Sequence, residues 1–415
     1  MPKRILMIAF HYPPILHSSG VHRTAKFVQY LPEYGWMPDV LTVSPRVYPE
    51  SSPEIPTPIA GTSVTRAFSL DTARHLSIGG RYFKFMAIPD RWVSWLIGAV
   101  PAGLRIIKKQ TPQLIWSTYP IATAHLIGYA LHKITKLPWI ADFRDPMTDT
   151  DYPSDPKLKR IYQHIERKTL KHCTLAVFTT ADSRNRYQER FPDITANKFH
   201  VIPNGFDEET FSRIEQQMAQ QTPAPKSPCL YFVHSGILYP SERNPLPFFD
   251  AIAELKQAGQ LTADKLKIAL RASGNEAKYQ QKLVDLKIDD IISLESSLPY
   301  DKALTEMMSA DGLLLFQAAN CNHQIPAKAY EYMRAKKPVF ALTDHNGNTA
   351  QLLKSSGIDT IVDIAKKEEI KTELLQFIDR VLTQTAPITT DDILSSYSRQ
   401  TRTRELAKLL DTINI

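Results

Sequence analysis

Short apolar runs alternate with amphipathic stretches along almost the whole chain. In the N-terminal half the runs are Arg4 to Phe10, Asp39 to Val43, Val64 to Phe68, Gln113 to Ser117, Trp139 to Phe143, Leu175 to Thr179 and Phe199 to Ile202. Their length and their branched and aromatic residues predict buried strands. Between them, polar and apolar positions repeat with helical spacing near Val21 to Tyr34, Trp92 to Lys109, Ile121 to Thr135, Asp155 to His172 and Ser183 to Arg190. Strand and helix in alternation predict βα units around a mostly parallel sheet.

The pattern breaks twice. Pro45 to Pro58 is rich in proline and, with the residues up to about Pro89, reads as an excursion from the sheet. Residues 220–228 contain Pro223, Pro225 and Pro228 among polar residues and read as a linker. A second series of strands follows at Leu230 to His234, Leu266 to Arg271, Ile291 to Leu294, Gly312 to Phe316, Val339 to Leu342 and Thr360 to Val362. The expected organisation is therefore a first α/β domain over residues 1–219, the linker, a second α/β domain over 229–388, and a closing segment 389–415 with a helix from Asp391 to Leu410. Ligands of doubly wound sheets bind outside the carboxyl ends of the strands, so that edge is where chemistry is expected.

At 415 residues, 43% hydrophobic and 22% charged, the chain has the length of two domains and the composition of a soluble globular protein. No apolar run reaches the roughly 20 residues of a membrane helix. The apolar stretch after Lys3-Arg4 stops at His11-Tyr12-Pro13-Pro14, too soon for a secretory signal, and a cytoplasmic location is expected. Cys173, Cys229 and Cys321 show no zinc or disulfide spacing. The net charge of +7 suits an anionic partner, and nothing resembles a nucleic-acid motif.

The richest stretch is Gln324-Ile325-Pro326-Ala327-Lys328-Ala329-Tyr330-Glu331-Tyr332-Met333, closed by Pro338. Pro326 suits a first helical turn and Pro338 ends the helix before a strand. Lys328 and Glu331 then share a helix face and present a cation and a carboxylate together. This segment resembles the donor-binding signature of family-4 retaining glycosyltransferases with the GT-B fold, and the resemblance extends over nearly the whole chain. It implies two Rossmann-like doubly wound domains facing a cleft, with the C-terminal helix crossing back to the first. The activity implied is transfer of a sugar from a nucleoside diphosphate to a hydroxyl of a carbohydrate or lipid-linked acceptor, in surface polysaccharide or glycolipid synthesis.

By that resemblance Gln324, Ile325, Lys328 and Glu331 hold the donor, the helix N-terminus near Ile325 receiving its diphosphate and Glu331 its ribose. Gly236 and Arg243 follow the first strand of the second domain, and Gly274 follows the next. Two departures stand out: Ile237 occupies the place of an arginine, and His323 that of a glutamate eight residues before Glu331. Arg243, Lys328 and Glu331 are the expected catalytic residues of this domain.

On the acceptor side the resemblance selects the first βα turn with Ser19, Gly20 and Arg23, then His125 for the transferred sugar, then Arg144 and Asp145 at a strand end. His125 reads equally as structural, and an Asp-Arg pair at that strand end reads equally as a loop tie. Gly20 is the sole glycine of its turn, which argues against a nicotinamide enzyme. Trp92, Trp95, Leu96 and Ile97 followed by Arg105, Lys108 and Lys109 give the pattern of a peripheral membrane anchor, or of a core stripe with a basic end. No cofactor and no metal are expected, Asp149-Thr150-Asp151 having the spelling of a metal motif outside its context. A catalytically idle GT-B subunit that binds a nucleotide or a partner, and a nucleotide-sugar epimerase on the same fold, are the alternatives.

Overall fold

The computed structural model describes residues 3–15, 19–48, 61–150, 152–220 and 227–414. Most of the expected linker, part of the proline-rich stretch, and His17 and Ser18 lie outside them. The chain divides into two compact units, residues 1–204 with 399–415, and residues 205–398.

The first unit holds strands β1 (Lys3–Ile8), β2 (Trp36–Val43), β3 (Ser63–Ala67), β4 (Leu114–Thr118), β5 (Trp139–Arg144), β6 (Leu175–Phe178) and β7 (Phe199–Val201). They form one parallel sheet in the order β3-β2-β1-β4-β5-β6-β7. Both faces of this sheet are covered, which is why its strands read as near-continuous apolar runs. Along β1, Leu6, Ile8 and Phe10 enter one core while Ile5, Met7 and Ala9 enter the other. The helix Arg399–Asp411 buries Leu406, Ala407 and Leu410 in the second of these cores. Its end is tied by Asp411, which accepts from Trp36 Nε1 at 3.1 Å and Lys3 Nζ at 2.8 Å.

The second unit holds β8 (Leu230–Ser235), β9 (Leu266–Arg271), β10 (Ile292–Glu295), β11 (Gly312–Gln317), β12 (Val339–Thr343) and β13 (Ile361–Val362), all parallel, in the order β10-β9-β8-β11-β12-β13. In both sheets the strand order thus reverses next to the first strand, between β1 and β4 and between β8 and β11. A crevice opens at the carboxyl end of such a switch point.

Three expectations are corrected locally. The helix Glu208–Ala219, assigned from sequence to the first domain, packs in the second unit, where Arg334 donates to Glu208 and Glu215 at 2.6–3.0 Å. The closing helix is two helices, Asp391–Ser395 and Arg399–Asp411, parted where Phe206 N donates to Tyr397 O. Finally, the helix expected from Trp92 begins at Trp95, and its aromatic stripe is core. Trp95 is fully buried and Trp92 and Leu96 pack against the same cluster, because positions 95, 99, 102 and 106 all face the sheet. Of the apolar residues of the expected anchor Ile97 alone points outward, with Arg105, Lys108 and Lys109 exposed further along.

Candidate functional site

In the second unit the chain leaves β8 through Ser235 and Gly236. Gly236 has φ +126°, a conformation side chains rarely adopt, and Lys328 Nζ lies where its Cβ would stand. The turn is held by Gly236 N donating to Arg271 O (2.8 Å) and Leu238 N to Ser273 O (2.7 Å), which brings Gly274 against Ile237.

The helix Ala327–Arg334 delivers the opposing groups, with Pro326 as its N-cap. Lys328 Nζ donates to Ser235 O. Burial pushes its pKa down to about 7, with Arg243 adding to the shift and Glu331 opposing it. Glu331, nearly buried, accepts from Tyr300 Oη at 2.8 Å, so the side chain is fixed in place. Tyr332 Oη receives Ser235 N at 3.1 Å from the same helix. Arg243 donates to Ile237 O at 3.1 Å and stacks over Tyr239. Beneath the turn, His234 sits between Leu314 O (2.8 Å) and Gly236 O (3.0 Å), and burial holds its pKa well below the ordinary value. A neutral ring donates to one of those carbonyls only.

Gln324 and His323 meet through their side chains at 3.1 Å, and Gln324 O accepts from Gln317 Nε2 and Thr349 Oγ1. Ile325 packs on the core below the helix start. The residues selected from sequence in this unit therefore converge on one edge: a glycine turn, a helix N-terminus, two cations and a tethered carboxylate. A lysine amine and a helix start opposite an open backbone turn suit phosphate oxygens.

In the first unit the corresponding edge is a narrow crevice with about 180 Å³ of empty space, lined by Phe10, His11, Gly20, Thr118, Tyr119, Pro120, Ile121 and Arg144. Arg144 reaches it because β5 bulges between Asp142 and Arg144 and the backbone of Arg144 is left-handed at φ +58°. Thr179 fixes that geometry, its N and Oγ1 donating to Arg144 O at 3.1 and 2.9 Å. Asp145 is half-buried beside it, and the carboxylate that does form an ion pair at this strand end is Asp142, with Arg23.

Arg23 is consumed by the fold. It is buried and donates to both oxygens of Asp142 (3.2 and 3.0 Å) and to Pro203 O (3.0 Å), while Thr118 Oγ1 also donates to Asp142. His125 is likewise interior. It shares a 2.8 Å hydrogen bond with Ser117 Oγ, which itself accepts from Trp139 Nε1, and its ring packs on Phe143. The expected role of His125 against a sugar has no surface to act through, since the side chain is fully buried and burial lowers its pKa to about 4. His11, which the sequence reading passed over, is the histidine at the crevice. Its signal was position: it directly follows the first strand, at the carboxyl edge. Burial and then the charge of Arg144 lower its pKa to about 4, so the ring is neutral at pH 7. Ser19 opens the helix Ser19–Tyr30, with Gly20 next to it on the crevice wall.

Residues 20–205 match the family model described as glycosyl transferase 4-like domain. Against curated proteins the sequence finds no match. Among solved structures, sucrose-phosphate synthase from Thermosynechococcus elongatus superposes with TM-score 0.70 at 13% identity, covering 99% of this chain and 98% of that one. The α,α-trehalose 6-phosphate synthase of Burkholderia multivorans gives 0.67 at 11% identity, covering 99% and 97%. WaaG, a glycosyltransferase involved in lipopolysaccharide biosynthesis, gives 0.63 at 11% identity, covering 98% and 99%. The chain thus has the GT-B fold, two α/β units each built on a parallel sheet. It carries a glycosyl transferase 4-like domain, and the resemblance to family-4 glycosyltransferases holds. Domain and fold together support sugar transfer as the activity.

Proposed function

We propose that this protein transfers a sugar, with retention at the anomeric carbon, from a nucleoside diphosphate to a hydroxyl of an acceptor held by the first unit. The observation that carries the donor half is the convergence of Gly236, Arg243, Lys328 and Glu331 on the carboxyl edge where the second sheet reverses order. In this reading Lys328, Arg243 and the start of the helix Ala327–Arg334 stabilise the diphosphate as it leaves. Glu331, oriented by Tyr300, takes the ribose hydroxyls. Retention comes from the family resemblance. The charge on the leaving group is met by protein cations, so neither a metal nor another cofactor is required; turnover lost in chelator and restored by manganese overturns that part.

The acceptor side is the crevice of His11, Gly20 and Arg144. A surface glycolipid or polysaccharide as acceptor is supported by the likeness to WaaG in fold. Peripheral membrane contact belongs to the same reading, although its surface is not the helix suggested by sequence. Ile78, Phe83 and Phe85 are 88%, 72% and 71% exposed, on the excursion between β3 and the helix Trp95–Gln110, with Arg81 and Lys84 among them. Between Asp71 and Asp142 the sole carboxylate is Asp90, which is spent on Thr123 and Trp92 N. Exposed aromatics beside unopposed cations suit an anionic lipid surface.

The test is titration of the purified protein with UDP, GDP and their common sugar derivatives. Micromolar binding of one nucleotide, weakened about tenfold or more by Glu331→Ala and by Arg243→Ala, is the expected result. Absence of binding by every nucleotide overturns the donor site and leaves the idle-subunit reading.

A further inference from the structure

Arg144 is a buried cation that forms no ion pair with any carboxylate among the described residues. The side chain is 8% exposed, its Nε has no hydrogen-bond partner among the described residues, and Nη1 makes one 3.3 Å bond to Tyr119 O. Asp145 and Asp142 are near enough to favour the charge, but neither is hydrogen-bonded to it: Asp142 is bound on both oxygens by Arg23, and Asp145 forms no ion pair with Arg144. A guanidinium stays charged at any ordinary pH, and an unpaired charge in the interior is costly. Yet the fold commits a bulge, a left-handed residue and two hydrogen bonds from Thr179 to aiming this side chain into the crevice.

The other walls have the same preference. Gly20, in the first turn of the helix Ser19–Tyr30, lines the crevice, and a helix start favours an anion. His11 is neutral, so it adds a polar edge without negative charge. The crevice is narrow, its space of about 180 Å³ including the open solvent at its mouth, so it meets one group of a ligand at that mouth and does not enclose a whole ligand.

We infer that the mouth of this crevice is an oxyanion subsite, and that the acceptor carries a phosphate ester which the guanidinium of Arg144 binds there. The assignment to the acceptor rests on the proposed function; the oxyanion site itself does not. It makes Arg144 a specificity residue whose guanidinium is ion-paired only in the complex.

The experiment is thermal unfolding of the full-length protein with increasing inorganic phosphate, against chloride and acetate at matched ionic strength. It is run on wild type, Lys328→Gln, Arg144→Gln and Arg144→Lys, the second of these removing the donor-side amine. Wild type and Lys328→Gln should both show a saturable rise in Tm with phosphate. Arg144→Gln should bind phosphate at least tenfold more weakly, with Arg144→Lys in between. Without ligand, Arg144→Gln should melt about 2–4 °C above wild type, because it sheds a buried charge whose desolvation outweighs the pull of Asp145 and Asp142. A phosphate response unchanged in Arg144→Gln overturns the site, and so does a fall in its ligand-free Tm, which would make the charge structural. Acetate binding as tightly as phosphate overturns the phosphate-ester assignment. No nucleotide enters the measurement, so failure of the donor reading and failure of this one are separate results.

Discussion

Lys328 Nζ occupies the space that any side chain at position 236 would need, and it donates there to Ser235 O. The strand end and the helix Ala327–Arg334 therefore meet through one amine, with only hydrogen atoms on the facing carbon. Gly236→Ala must push that amine aside and strain a backbone at φ +126°. We expect a loss of about 1–3 kcal/mol in denaturant unfolding, together with loss of nucleoside diphosphate binding. Binding at wild-type strength in Gly236→Ala would mean that the amine has no part in the site.

Arg23 gives the opposite kind of prediction, one of stability. Its pair with Asp142 is buried on both sides, and removing one partner strands the other. Arg23→Gln should cost roughly 3–5 kcal/mol by urea unfolding. Any folded fraction should keep the acceptor KM, because Arg23 is not at the crevice wall. A stable Arg23→Gln with a raised acceptor KM would return the residue to the acceptor-binding role suggested by its place in the first turn.

The contrast between Arg23 and Arg144 marks how far the sequence carries. Strands in both sheets are legible because burial on two faces makes them apolar throughout, and β1 and β12 can be read by eye. The donor edge was legible because its residues are local: Lys328 and Glu331 are one helical turn apart, and Gly236 closes a strand. What pairs Arg23 with Asp142 is a contact across 119 positions, and only the fold shows that this carboxylate is taken and Arg144 is left unpaired. The same holds for the two histidines. His125 lies one turn into a helix whose exposed side could not be told from its buried side, while His11 adjoined an apolar run and was read as its end. The break in the closing helix falls where Tyr397 O accepts from Phe206 N, a partner distant in sequence.

The exposed excursion supports a prediction about lipid. Phe83 and Phe85 stack on each other at 5.7 Å with both rings mostly in solvent, an arrangement that buries little without a partner. Each ring is worth about 1.5–3 kcal/mol when removed from water, and each cation about 1 kcal/mol near an anionic surface. The protein should sediment with anionic vesicles and not with neutral ones, and Phe83→Ser with Phe85→Ser should reduce partitioning by about a hundredfold or more. Arg81→Ser with Lys84→Ser should weaken it less, by about tenfold to thirtyfold, and high salt should mimic that pair. Equal partitioning of the aromatic double variant and wild type would exclude this surface.

Lys328 should also make stability and donor binding respond to pH in opposite directions. Its folded pKa of about 7 is below its ordinary value of 10.5, so between these two the unfolded chain holds a proton that the folded chain has released. The burial penalty is therefore complete below about pH 7 and is relieved as pH rises toward 10.5. Relative to Lys328→Met, which cannot titrate, wild type should gain stability across that window with a slope of at most about 1.4 kcal/mol per pH unit, and show no slope below it. A bound diphosphate reverses the preference, since it stabilises the ammonium and raises its pKa. Nucleotide affinity should then be constant below pH 7 and fall above it by up to about tenfold per unit, with proton uptake visible as a dependence of the calorimetric heat on buffer ionisation enthalpy. Affinity that is flat from pH 6 to 9, with no buffer dependence, would mean that the phosphates bind without Lys328 and that Arg243 and the helix start carry the charge alone.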